Sequence, residues 1–399
     1  MKTNRFFISA LAAASLAVCF SSCEKNDTDG DTDQPVTLDG GEISGRYTND
    51  LTLRKGEYTL TGSLQMVAPA TLTIEAGTTI TSAASGNNII YILIEQGAKI
   101  MAEGTAEEPI TMTAEEKKAG AWGGLHICGY AHTNASGSTT SEIGGAAYGG
   151  SNDTDDSGVL KYIRIQYSGL ALDSEHEANG LSLYGVGSGT EISYIQITDG
   201  SDDGIEFFGG AANIDHCIVE NCTDDSFDWT EGWNGTAEYI VAYQSVTECD
   251  CLMECDNNGD NNDAEPVAHP TIRYATFVGN NSDDNARGLR FREGTQVTLE
   301  YALVTGKSKP ITLETTQTDA SFADKVSTIS DTYISGELVN EVEDESGANV
   351  GTYFNEDFVA AGNTADYDFS SVFTGNYIGK VGESGAVSAD DDWTADWTL

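Results

Sequence analysis

From Leu51 onward the chain alternates apolar and polar residues in short runs rich in Val, Ile, Thr and Tyr, each broken by glycine. No long segment repeats its apolar residues at the helical period, so the pattern predicts short strands joined by tight corners. Two runs, TLTIEAGTTI (71 to 80) and YILIEQGAKI (91 to 100), match at a spacing of 20 and set Gly77 over Gly97 and Ile80 over Ile100. That spacing predicts stacked coils, with the glycines at corners and the apolar residues in an internal ladder. GAWGGLHICGYA (120 to 131), LKYIRIQYSG (160 to 169), NGLSLYGVGSGTEISYIQI (179 to 197), IDHCIVENC (214 to 222), TIRYATFVG (271 to 279) and VTLEYALVTG (297 to 306) continue the series. The expected fold is all-β, a parallel β-helix over 41–399 whose core grows lengthwise.

One segment repeats around acidic residues. SDDGIEFF (201 to 208), TDDSFDWT (223 to 230) and CDCLMECD (249 to 256) align without gaps, placing Glu206, Asp228 and Glu254 in one column and Asp202, Asp224 and Asp250 in another. Strand alternation turns Ile205, Phe207, Phe227 and Trp229 inward and the acids outward. The outward column then reads Ser182, Glu206, Asp228, Glu254, Arg290. Carboxylates stacked at strand spacing, about 4.8 Å, repel one another. A bound Ca²⁺, pairing with Arg290 or Arg292, or a raised pKa on the middle member relieves that repulsion.

The N-terminus changes where such a rod is expected to work. Lys2 and Arg5 precede an apolar stretch, Phe6 to Phe20, and then Ser21-Ser22-Cys23. This is the form of an export signal over 1–22, too short to remain as a spanning helix. The small residues before Cys23 resemble the lipobox of bacterial lipoproteins, which makes Cys23 the lipidated residue. The acidic stretch 23–40 reads as a tether. The net charge is −45, with 64 acidic and 19 basic residues, which repels nucleic acid and anionic lipid surfaces and attracts divalent cations. The membrane is therefore expected to be met only through the lipid.

Several groups outside the column have ligand chemistry. Asp153, Asp155 and Ser157 before Gly158 approximate the start of a calcium loop, although Arg164 stands where an EF-hand needs glutamate. Asp256, Asp260 and Asp263 form a second dense oxygen set. Trp233 in EGWNGT is placed either to stack on a sugar ring or to close the coil edge. Asp225 completes the DD pair of TDDSFD, which faintly resembles the paired aspartates of polygalacturonase-type hydrolases, but their Gly-His-Gly and Arg-x-Lys motifs are missing. Export permits disulfides, and Cys222 with Cys249 is the expected pair. His176 lies beside the acidic face. The Gly-, Ser- and Asp-rich stretch 132–158 reads as a projecting loop, and Trp393 and Trp397 as covers for the last coil.

The lipobox, AWGGLHICG, YGGSNDTDDSG, NGLSLYGVGSGT, DDGIEFFGG, DDSFDWTEGWNG and DNNGDNNDAEP together resemble a family of Bacteroidota-type outer-surface lipoproteins with a right-handed parallel β-helix. The resemblance covers roughly residues 40 to 300 and implies the fold, the handedness and an outer-membrane location facing the exterior. It carries over no catalytic residues and no assigned activity.

The sequence thus supports a lipid-anchored surface protein that binds a glycan on its acidic face, with Asp202, Asp224, Asp225, Asp250 and Trp233 as contacts and calcium as a helper. A calcium-dependent polysaccharide lyase using Glu206, Asp228, Glu254 and Arg290 or Arg292 is the alternative, and a structural or adhesive rod is a third. For the anchor, Cys23→Ala is expected to move the protein from the detergent phase to the aqueous phase on phase partitioning. Unchanged partitioning would remove the lipid.

Overall fold

The computed structural model describes residues 34–84, 89–169 and 178–399. The signal, Cys23, most of the tether and His176 lie outside the described residues. Among the described residues, 25 strands join one continuous parallel sheet that coils on itself as a right-handed β-helix with three faces. The first strand, Val36–Leu38, pairs with Leu51–Leu53, so the helix starts inside the stretch read as tether. Val36 and Leu38 supply the apolar residues that the preceding acidic run lacks.

The third face decides where chemistry is presented. Its strands include Leu125–Cys128, Leu181–Tyr184, Ile205–Phe208, Phe227–Thr230, Met253–Cys255, Arg287–Phe291, Lys309–Leu313 and Leu338–Asn340. Leu125, Leu181, Ile205, Phe227, Met253, Leu289, Ile311 and Leu338 lie in register along it. All are buried and form one apolar ladder, which holds the rod together by excluding water along its length.

The spacing of 20 has a different origin from the one expected. Leu72 pairs with Ile100, Ile80 with Met112, and Ile94 with Ile127. Ile80 therefore does not lie over Ile100. The two matching runs are different corners of the coil, each a strand, a glycine with positive φ and another strand, so they share a corner grammar rather than a register.

From Gly158–Gln166 onward the other two faces share one long strand per coil, bent at a single residue. The bend residues Tyr162, Tyr194, His216, Tyr239, Tyr274 and Tyr301 have φ between 50° and 57°. A left-handed backbone costs a residue with a side chain about 1–2 kcal/mol. Here the bends place the rings in one stack, with successive centroids 4.4, 4.6, 4.8, 4.9 and 5.0 Å apart. Each ring pair offsets about 0.5–1.5 kcal/mol of that strain.

The C-terminal segment also departs from expectation. Trp393 and Trp397 do not cover the last coil, which is closed by a short helix, Asn355–Ala360, through buried Phe358. Instead the tail turns back along the side of the rod. Gly385 donates to the Tyr301 carbonyl at 2.9 Å, Ala386 to Thr276 Oγ1 at 2.8 Å, and the last residue, Leu399, to Gln196 Oε1 at 3.0 Å. Trp397 meets Tyr162 and Tyr194 edge-on, and Trp393 does the same to His216. The tail is a strap over the aromatic stack because Ile218, Val241 and the rings present apolar surface outside the coil.

Trp397 is 1% exposed. Trp397→Ala is expected to cost about 3–5 kcal/mol, read as a lower urea midpoint. A loss below about 1 kcal/mol would show that the strap does not pack on the stack.

Candidate functional site

The outward column of the third face follows the expected register: His126, Ser182, Glu206, Asp228, Glu254, Arg290 and Thr312 are successive partners. The strands force this adjacency, and each stretch of the column meets it with different chemistry. At the N-terminal end the solution is a neutral hydrogen-bond chain. His126 is buried, which lowers its pKa to about 4 and keeps it neutral. Its Nε2 faces the Gly123 carbonyl at 2.5 Å and so carries the proton, leaving Nδ1 to accept from Ser182 Oγ at 3.1 Å. Asn179 Nδ2 then donates to Ser182 Oγ at 3.1 Å and to Glu206 Oε2 at 2.5 Å.

At the C-terminal end the solution is ion pairing. Arg290 reaches Glu254 at 2.7 Å and Glu314 at 2.9 Å, while Arg292 pairs with Glu254 and with Asp256 at 2.8 Å. Arg287 pairs with Glu314 and Glu341, both at 2.7 Å, and Lys309 pairs with Glu341. Burial alone would lower the Arg290 and Arg292 pKa values, but Glu314 and Glu254 for the first, and Asp256 and Glu254 for the second, raise them. Both guanidiniums are fixed as cations. Burial raises Asp256 to about 6 against the pull of Arg292.

Among the described residues, the middle of the column has no such partner. Asp203 and Asp225, 6% and 4% exposed, sit beside Glu206 and Asp228. Burial first, and their mutual charges second, raise all four carboxyls well above the ordinary range. Asp203 Oδ1 accepts from the Asp225 amide at 2.9 Å, and Asp225 Oδ1 from the Cys251 amide at 2.6 Å. Asp228 Oδ1 is buried without a hydrogen-bond partner. Gly204 allows this crowding, since a Cβ there would lie 2.5 Å from the Ser226 carbonyl.

The expected residues divide by position. Asp202, Asp224, Asp225 and Asp250 do converge on this face. Lys307 steadies the Asp250 turn, with its ammonium 2.7 Å from the Asp250 carbonyl. Trp233 is no sugar platform: it is 1% exposed, stacks on Phe207 at 3.9 Å and donates to the Ala212 carbonyl. Cys222 and Cys249 are buried free thiols. Burial raises Cys249 to about 11.

The residues of the two expected calcium loops make local hydrogen bonds and ion pairs. Asp153 accepts from the His132 amide and faces its ring, Asp155 accepts from the Tyr130 amide, and Ser157 donates toward Asp155 at 3.4 Å. In the second loop Asp256 is held by Arg292, whereas the backbone amides of Asp260 and Asp263 donate to the Asn258 and Asn261 side chains at 3.0 and 3.2 Å. Asn257 and Asn258 there clasp Asn134, which ties down the 132–158 insertion.

That insertion forms one wall of a cleft of about 360 Å³ beside Glu206, with Glu142, Tyr148, Tyr184, Phe208 and Glu231 among its lining. Tyr148 donates to Glu231 at 2.8 Å, and Thr133 donates to the same carboxylate at 2.7 Å. Tyr184 lies between Phe208 and Tyr148, at centroid distances of 4.3 and 5.2 Å. Sequence reasoning missed Asp203, Asn179, Glu142 and Tyr184. The second aspartate of SDDG was a visible signal, but Glu142 lies in a segment without a repeat.

Among the described residues, several acidic groups on this face lie close enough to hold a metal ion. Asp203, Glu206 and Asp228 are the best fitted, each placing an oxygen within 4.8 Å of the others, and Asp228 also carries the unpartnered Oδ1. That span is about twice a Ca–O distance. Residues 45–398 match a family described as a pectate-lyase-like β-helix domain. No curated protein and no solved structure matches the chain.

Raised carboxyls bind protons more tightly in the folded state than in the unfolded state. Their contribution to stability is full below the ordinary carboxylate pKa, near 4, and is lost as pH rises through the folded values. Without added metal, Asp228→Asn is expected to stabilise the protein at pH 8 by about 1 kcal/mol or more, with little effect at pH 4. Glu254→Gln is expected to destabilise it by about 1–3 kcal/mol, since it removes one of the two carboxylate partners of both Arg290 and Arg292. Urea melts at both pH values test the pair. Destabilisation by Asp228→Asn at pH 8 would contradict the electrostatic assignment.

Proposed function

The chain belongs to the pectate-lyase-like β-helix domain family, and from that premise we propose that it binds a carbohydrate on its third face through a divalent cation. The observation that carries the reading is the group Asp203, Glu206 and Asp228, with no cationic side chain paired to it among the described residues and one buried oxygen unpartnered. Calcium is the preferred ion, because its oxygen-rich, flexible shell suits carboxylates from neighbouring strands. An acidic sugar approaching this face meets like charge, and a cation held there turns repulsion into a bridge. Asp202, Asp224 and Asp250 line the approach. The lipid anchor at Cys23 would hold the rod on the outer surface of the outer membrane, where extracellular glycans are met.

The lyase alternative needs a basic residue able to take a proton. Arg290 and Arg292 are each clasped by two carboxylates and held as cations, which favours binding over elimination. The rod-only alternative leaves the unpaired carboxyls of the middle column without a purpose.

Two measurements test the proposal. Millimolar Ca²⁺ is expected to raise the melting temperature at pH 8 more than at pH 5, because ligand carboxyls must lose their protons, and Asp228→Asn is expected to abolish the rise. Affinity electrophoresis through polygalacturonate is expected to show retardation with Ca²⁺ and none with a chelator. Equal migration in both would remove the glycan bridge.

A further inference from the structure

The C-terminal end of the rod leaves one strand edge to be completed by other groups. Among the described residues, Thr328–Ser330 pairs as a strand only with Thr298–Thr305 of the coil before it. Thr328 donates its amide to the Val297 carbonyl at 2.9 Å, so strand alternation turns the Ile329 amide and carbonyl to the open side. Asn363 stands there in place of a further coil. Its Nδ2 donates to the Ile329 carbonyl at 2.8 Å, and its Oδ1 accepts from the Thr332 amide at 3.1 Å. That side chain gives Ile329 a donor and no acceptor. Ile329 is 3% exposed, and among the described residues nothing accepts from its amide. A buried donor left unpaired costs about 1–3 kcal/mol, which an incoming oxygen would relieve.

A cavity of about 520 Å³ opens over this edge, between the helices Thr316–Ala323 and Asn355–Ala360. Its lining joins three kinds of surface. Tyr353 packs on buried Phe322 at a centroid distance of 5.4 Å, and its half-buried ring lines the cavity. Ala360 and Ala361 add small apolar surface that obstructs nothing. Lys325 and Asp357, both exposed, put one charge of each sign on the rim. Asp357 accepts from the Phe354 amide at 3.0 Å through Oδ2. Burial first, and Asp357 second, push the Tyr353 phenol up to about 12, so its hydroxyl keeps its proton at neutral pH. The net charge of −45 opposes an anionic ligand, whereas rim groups of both signs suit neutral hydroxyls, which donate to one and accept from the other.

We infer that this cavity binds an acetamido sugar, an N-acetylhexosamine. The acetamido carbonyl accepts from the Ile329 amide, its methyl group lies against Ala360 and Ala361, and the sugar ring rests on Tyr353 with its hydroxyls toward Lys325 and Asp357. The volume admits about one or two sugar units. This goes beyond the cation-bridged reading and does not depend on it, since the lining contains no member of the acidic column.

Titration calorimetry in a chelator compares the β-1,4-linked disaccharide of N-acetylglucosamine with cellobiose, which has a hydroxyl in place of each acetamido group. The acetylated sugar is expected to bind about tenfold or more tightly, since only it brings the carbonyl and the methyl. Ala360→Phe, at an exposed position, fills the cavity and is expected to weaken binding by about tenfold or more. Tyr353→Leu, which removes the ring, is expected to weaken it by a smaller factor, and Asp228→Asn to leave it unchanged. No binding of the acetylated sugar, equal affinity for the two sugars, or binding indifferent to both Ala360→Phe and Tyr353→Leu would overturn the assignment. Loss of the calcium response with sugar binding intact would sink only the cation-bridged reading.

Discussion

In-register stacking governs this molecule. Parallel coils set each residue about 4.8 Å from its counterpart in the next coil, so whatever occupies a position is pressed against its own kind. Facing inward, that rule produces the ladder from Leu125 to Leu338 and with it the core. Facing outward at the bend it produces the ring stack from Tyr162 to Tyr301, where aromatic contact offsets a strained backbone. On the third face it presses carboxylates together, and there the geometry offers no intrinsic gain.

The column therefore shows three ways of living with one constraint. Neutral hydrogen bonding runs from His126 to Asn179, and guanidinium pairing surrounds Glu254, Glu314 and Glu341. Between them Asp203, Glu206, Asp225 and Asp228 are left to hold protons or a cation. A rod that only needed solubility would gain from asparagine or threonine at those positions. The 132–158 insertion deepens the same stretch into a cleft, anchored by the Asn134, Asn257 and Asn258 clasp.

The outward column was legible because gapless repeats carry register directly: Ser182, Glu206, Asp228, Glu254 and Arg290 pair in the order read from offsets. The early coils misled because two corners of a coil share the strand, glycine, strand pattern, which a spacing cannot distinguish from stacking. The ring stack stood in the sequence as a tyrosine or histidine near the middle of each long strand, but its left-handed bend leaves no mark in apolar periodicity. The calcium-like loops are ambiguous for a related reason. Aspartate, asparagine and serine serve turn capping and metal binding equally well, and only the hydrogen bonds separate the uses. The strap and the Glu142 cleft depend on contacts between segments far apart in the chain, which no local pattern records.

The central claim is that the middle carboxyls share protons which a divalent cation replaces. Counting protons released per calcium ion bound, by titration near pH 6.5 in a weakly buffered solution, addresses it most directly. The account predicts net proton release on binding, strongly reduced in Asp228→Asn. Calcium binding with no proton release, or no binding at all, would contradict it.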